Sequence, residues 1–182
     1  AQVVVINKVG SASAAEVEKL AQTVREVNPT ATLVRANSVI LAENAELIKG
    51  KRVLVVEDGP TLTHGGMATG AGVQAAREHG AAEIVDPRPY AVGELASVYQ
   101  KYSHLGPILP AVGYFPEQLR DLEATIAAVP ADVAVIATPF DVRRVIQVDK
   151  PMVRVTYELE ETGEPSLTTI VDEFLVGQKL RV

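Results

Sequence analysis

The sequence predicts a three-layer α/β fold, a mostly parallel sheet with helices on both faces, from three observations. Short apolar runs suited to a sheet covered on both faces recur along the chain: Val3-Val4-Val5-Ile6, Val53-Leu54-Val55-Val56 and Val133-Ala134-Val135-Ile136-Ala137. Segments with helical spacing of apolar residues alternate with them. The chain has 182 residues, 47% apolar and 22% charged, enough to bury a core without a metal or disulfide staple. That length points to a single domain over residues 1–182.

Residues 3–6 form the first strand. Ser13 and Glu16 make a capping box for a helix with Val17, Leu20, Ala21, Val24 and Val27 at helical spacing, and Pro29 stops it. Residues 31–36 are the next strand, 43–48 a short helical or irregular link, and 52–56 the clearest buried strand. The stretch 59–66 breaks both periods and reads as a loop. A helix then runs to His79, with Gly80 just past its end. Residues 83–85 are a short strand before the turn Asp86-Pro87-Arg88-Pro89-Tyr90. A helix over 93–102 and a strand over 108–112 come next. Pro116 suits a first helical position, with Leu119, Leu122, Ile126 and Val129 as the buried stripe. Residues 133–137 are a buried strand, 140–145 a short helix, 152–159 a half-exposed strand and 166–174 a last helix.

Composition excludes several function classes. Cys is absent, so disulfides, Cys-based zinc sites and thiol nucleophiles are ruled out, and His64, His79 and His104 are too scattered for a zinc site. A formal charge of −6 argues against nucleic-acid binding. No apolar stretch reaches membrane-spanning length and the first residues lack a signal peptide's basic flank, so the expected location is the cytoplasm.

Ligands of open α/β sheets bind beyond the carboxyl ends of the strands, so the segment just after each strand matters most. Gly59, Gly65, Gly66, Gly70 and Gly72 fall between a strand and a helix, where backbone N–H groups and a helix N-terminus favour an anion. Thr61 and Thr63 add hydroxyls, and His64 can relay a proton or contact phosphate. Glu57 and Asp58, at the strand end, can hold a magnesium ion; the plain alternative is that they cap local N–H groups. Two prolines stiffen the segment that presents Arg88, which suits a phosphate contact or an ion pair with Asp86. Arg143 and Arg144 face either an acidic ligand or solvent. His79 sits at a helix end as a favourable dipole contact. No G-x-x-x-x-G-K-[ST], G-x-G-x-x-G after a strand, or G-x-S-x-G occurs.

Val3-Val4-Val5-Ile6-Asn7-Lys8-Val9-Gly10 resembles the guanine-recognition strand and N-K-x-D loop of P-loop GTPases, with Gly10 in place of the Asp. Arg35-Ala36-Asn37-Ser38 falls where such proteins place a second base-contact loop. On this resemblance residues 1–38 are the end of a P-loop NTPase domain, Asn7 and Lys8 contact the base, and 39–182 is a phosphate-ligand part. The segments Val55 to Met67, Gly70 to Val73, Ala81 to Gly93 and Val133 to Pro139 resemble the C-terminal portion of the cyclic 2,3-diphosphoglycerate synthetase family. That implies part of an ATP- and Mg2+-dependent ligase closing the diphosphoglycerate ring. His64 and Arg88 would then serve in catalysis, Gly59, Thr61, Thr63, Gly65, Gly66, Arg143 and Arg144 would hold phosphate, and Glu57 and Asp58 the metal.

The resemblance also implies a small phosphorylated ligand and an N-terminal nucleotide-binding region as partner, with a homodimer as a further expectation. Without a Walker A loop, this chain alone is expected to be inactive. The alternatives are a non-catalytic anion- or nucleotide-binding regulatory domain of GTPase-like ancestry, and a structural dimerisation domain.

Overall fold

The computed structural model describes residues 1–66 and 68–179, apart from the side chains at 61, 65, 178 and 179. The chain divides into two compact units. One is Ala1–Val39 with Tyr157–Val182, the other Ile40–Thr156. The fold is α/β with mostly parallel strand pairing and helices on both faces, as the sequence predicts.

In the first unit, β1 (Val3–Ile6) pairs parallel with β2 (Thr32–Ala42), with Val3 opposite Thr32 and Ile6 opposite Arg35. Between them runs α1 (Ala14–Val27). Ser13 Oγ accepts the Glu16 N–H at 3.3 Å while Glu16 accepts the Ser13 N–H at 2.9 Å, so the expected capping box forms. Asn28 ends the helix just before Pro29. β2 is longer than the sequence indicates. The stretch Arg35-Ala36-Asn37-Ser38, expected as a base-contact loop, is therefore strand. A second long strand, β7 (Met152–Glu161), pairs beside β2, and Thr162 N–H donates to the Arg35 carbonyl at 2.8 Å. The last helix, α6, spans Leu167–Lys179.

The second unit is built around β3 (Arg52–Asp58), whose residues Val53, Leu54, Val55 and Val56 are wholly buried. β6 (Val133–Ala137) pairs parallel with β3 on one side. On β3's other side, β4 (Glu83–Ile84) pairs at its start and β5 (Leu109–Ala111) at its end. The N-terminal part of β7 pairs parallel with β6.

Alternation along β3 sorts the core into two layers. Val53 and Val55 pack with Val133, Val135, Val73 and Ala76, the last two from α3 (Ala71–Glu78). Leu54 and Val56 pack with Ala134 and Ile136 and with α4 (Gly93–Lys101) and α5 (Pro116–Ala128), through Leu95, Leu122 and Ile126. Pro116 is the first residue of α5, where its missing N–H costs nothing. The segment expected as a loop at 59–66 is mostly helix: α2 covers Gly59–Gly65. The short helical or irregular link expected at 43–48 holds one 3-10 turn, Ala45–Leu47, and the short helix expected at 140–145 shrinks to another, Val142–Arg144. Among the described residues no helix is long and apolar enough to cross a membrane.

Candidate functional site

The carboxyl ends of three adjacent strands meet at one edge of the second unit. Glu57 stands in register with Pro110 of β5 and Ala137 of β6, and Asp58 with Ala111. Three segments leave this edge: α2 after β3, the stretch 112–115 before α5, and Thr138-Pro139-Phe140-Asp141 after β6.

Glu57 is almost fully buried, at 3% exposure. Its Oε1 accepts the N–H groups of Gly70 and Val73, each at 3.1 Å, and Gly72 supplies a third backbone donor. The glycines permit this closeness. A Cβ on Gly70 would stand 2.4 Å from Glu57 Oε2, and one on Gly72 would stand 2.7 Å from a Val55 methyl. The N–H donors converge on the protein's own Glu57, as in the plain alternative that this acid caps local N–H groups. Burial pushes the Glu57 carboxyl up to about 6, with the neighbouring Asp58 charge a lesser contribution in the same direction; the three N–H donors only partly oppose them.

Within α2, Thr63 Oγ1 donates to the Gly59 carbonyl at 2.9 Å and lies 3.1 Å from Nδ1 of the exposed His64. Its hydroxyl is thereby bound to its own helix. The side chains of Thr61 and Gly65, and Met67, lie outside the described residues; Gly66 adopts a left-handed turn at φ 65°. His104 Nε2, 3.1 Å from the Leu62 carbonyl, ties the stretch 102–106 to α2. The backbone amides around Glu57 suit a carboxylate rather than a cation. Among the described residues, no three His, Asp or Glu side chains are grouped to hold a metal.

Two aromatic rings at this edge are not singled out by the sequence reading. Tyr114 and Phe140 meet edge-to-face, centroids 5.3 Å apart at 71°, and both are about 40% exposed. Partial burial raises the Tyr114 phenol, and the Asp58 charge adds to the rise. The available signal is the pairing of Tyr114 with Phe115 just past a strand, in a chain with only five Tyr and three Phe.

The predicted arginines are held by acids. Arg88 is clamped on Asp86 through Nε at 2.9 Å and Nη2 at 2.6 Å. Arg143 donates to Asp141 at 2.8 and 2.9 Å and to Glu43 at 3.0 Å; these bonds keep it firmly charged and hold Asp141 below the usual carboxylate range. Arg154 of β7 joins the cluster. Its Nη2 donates to the Pro139 carbonyl at 3.2 Å, while its buried Nη1 lies 3.5 Å from Asp141 without a hydrogen bond. Nothing in the spacing of Glu43, Asp141 and Arg154 announces that they converge. Arg144 is exposed on the same 3-10 turn as Arg143.

Asn7 and Lys8 lie in the first unit. Asn7 Oδ1 accepts the Lys8 N–H at 2.7 Å, Lys8 is left-handed at φ 62°, and Gly10 N–H donates to Asn37 Oδ1 at 2.7 Å. The structure therefore joins the two segments expected to contact a base, through their own hydrogen bonds.

No known family profile matches the chain. The wider comparison corrects the expected kinship with cyclic 2,3-diphosphoglycerate synthetases and P-loop GTPases. Two residues of an N-K-x-D pattern and likeness in four segments are outweighed by 53% identity along nearly the whole chain. The diphosphoglycerate ligase, the GTPase-like regulatory alternative, and the ATP and Mg2+ that came with them fall together. What the chain is similar to is arginine synthetase ArcE of Thermococcus kodakarensis, 53% identical over 174 residues that make up 96% of this chain and 39% of that protein.

Proposed function

We propose that this chain contributes to the formation of arginine, and that the edge bearing Asp58, Tyr114 and Phe140 holds the guanidino end of that molecule. The observation that carries the reading is the 53% identity to arginine synthetase ArcE. The chain spans 39% of that protein's length, so in this reading the active centre is shared with further polypeptide. The chemistry of the edge supports it. A guanidinium is planar and cationic; a carboxylate takes it through paired N–H bonds, and aromatic faces attract it. In this reading His64, exposed on the helix just after Asp58, serves as the proton carrier. The location in this reading is the cytoplasm.

The test is a chimaera in which this chain replaces its matched segment of the Thermococcus kodakarensis synthetase, assayed for arginine formation. Activity within about tenfold of the parent is expected. Asp58→Asn should lower it by about 100-fold or more in a chimaera that still folds, the scale of losing one charge-stabilising contact. A folded chimaera that forms no arginine overturns the reading. Full activity with Asp58→Asn removes the guanidino group from this edge.

A further inference from the structure

The first unit carries an apolar stripe that the described residues cover only in part: Val17 and Val24 are half-buried, Leu20 and Val27 exposed. Ala21 is the one fully buried residue of α1 and marks the side of the helix against the strands. Glu18 pairs with Arg35 of β2 at 2.9 Å and with Arg25 at 2.8 Å, so positions 18 and 25 mark the flank nearer β2. At 100° per residue, positions 17, 20, 24 and 27 then lie on the opposite flank, away from β2. These are Val17, Leu20, Val24 and Val27. Leu20 is 50% exposed and Val27 81%.

That flank overhangs the side of β1 away from β2. β1 ends the strand order, so its outer edge has no neighbouring strand among the described residues. The face of β1 turned away from α1 is also only partly covered, since register partners share a face and Arg35, the partner of Ile6, reaches Glu18 on the α1 side. Val34 of β2 is 1% exposed, and its register partner Val5 on β1 is 38% exposed. An apolar strand with a bare edge, beneath an apolar helix flank, is what remains when the next strand of a sheet is absent.

We infer that the edge of β1, beneath the Val17–Leu20–Val24–Val27 flank of α1, receives a further apolar β-strand. The strand comes from polypeptide equivalent to the part of the arginine synthetase that this chain does not match. The strand would pair with β1 through main-chain hydrogen bonds and bury the flank. The match covers 39% of the relative, so most of that protein lies outside it and can supply the strand. The inference concerns assembly and does not depend on which molecule the active edge binds.

The experiment is hydrogen exchange read by mass spectrometry on the 182-residue chain and on the chimaera described above. Amides of peptides spanning residues 2–7 should exchange at least about tenfold more slowly in the chimaera. Val27→Glu should leave the melting temperature of the isolated chain unchanged and lower that of the chimaera by several degrees. Should the chimaera fail to fold, the intact Thermococcus kodakarensis synthetase is read at the peptides aligned with α1, and slow exchange is again expected. Equal exchange of β1 in both proteins overturns the inference. So does a stable dimer of the isolated chain that Val27→Glu dissociates, because a second copy is then the occupant. A folded, inactive chimaera with a protected β1 defeats the proposed function and leaves this interface standing.

Discussion

Two runs of nearly the same composition, Val3-Val4-Val5-Ile6 and Val53-Leu54-Val55-Val56, meet different fates. The second is wholly buried, with strands on both sides and a helical layer on each face. In the first only Ile6 is buried, and Val5 keeps 38% of its surface exposed. An apolar run therefore states the cover a strand requires, and the rest of the chain decides how much of it is supplied. The second unit supplies its own. The first leaves a strand edge and a helix flank open.

The largest expected effect comes from this contrast. Leu54→Ala empties a site packed by Leu95, Leu122 and Ile126 and should destabilise the chain by about 2–5 kcal/mol. Val5→Ala in the isolated chain trims a side chain that keeps 38% of its surface exposed and should cost less than about 1 kcal/mol. Urea unfolding of both variants measures the difference. Equal losses would break the comparison and mean that β1 is as well packed as β3.

How far the sequence carries the reading also differs between the two units. The alternation of apolar runs and helical stripes is enough for the parallel α/β fold, the capping box at Ser13 and the start of α5 at Pro116, because those signals are local. It fails at 59–66, where three glycines, a proline and two threonines read as a loop and form α2. There, packing against β3 and β5 outweighs weak helix propensity. The strand ends are legible as the edge where the candidate site is sought. The Glu43–Asp141–Arg143–Arg154 cluster is not, since it joins residues about 100 positions apart. Arg88 reads as a choice between ligand and ion pair, and the fold places it on Asp86.

A second effect belongs to the second unit alone, because the buried polar side chains among the described residues, Glu57, Thr125 and Thr138, all lie there. Glu57 titrates at about 6 in the fold against an ordinary 4.5, so the folded protein holds that proton more tightly than the unfolded chain does. The resulting stability is fully present below pH 4.5 and is lost as pH rises through about 6. It amounts to about 2 kcal/mol, from 1.36 kcal/mol per pKa unit. Glu57→Gln keeps an oxygen to accept the Gly70 and Val73 N–H groups and should remove this slope. Unfolding free energies of both proteins between pH 4 and 7 provide the check, and parallel curves would deny Glu57 the role.

The smallest effect is one in which the two units should not differ. Arg35–Glu18 in the first and Arg88–Asp86 in the second are both ion pairs with side chains 38–59% exposed. Water screens such pairs, so Arg35→Ala and Arg88→Ala should each cost less than about 1 kcal/mol, however differently their surroundings are packed. A pH signature separates the pair at Arg88 from simple loss of bulk. Hydrogen bonding from Arg88 holds the Asp86 carboxyl below its ordinary value, so the stability it lends is present at neutral pH and lost as acid protonates Asp86. The gap between wild type and Arg88→Ala should therefore close as pH falls below the usual carboxylate range. A gap above about 2 kcal/mol at neutral pH, or one that persists in acid, would show that Arg88 packs as part of the second unit's core rather than standing on its surface.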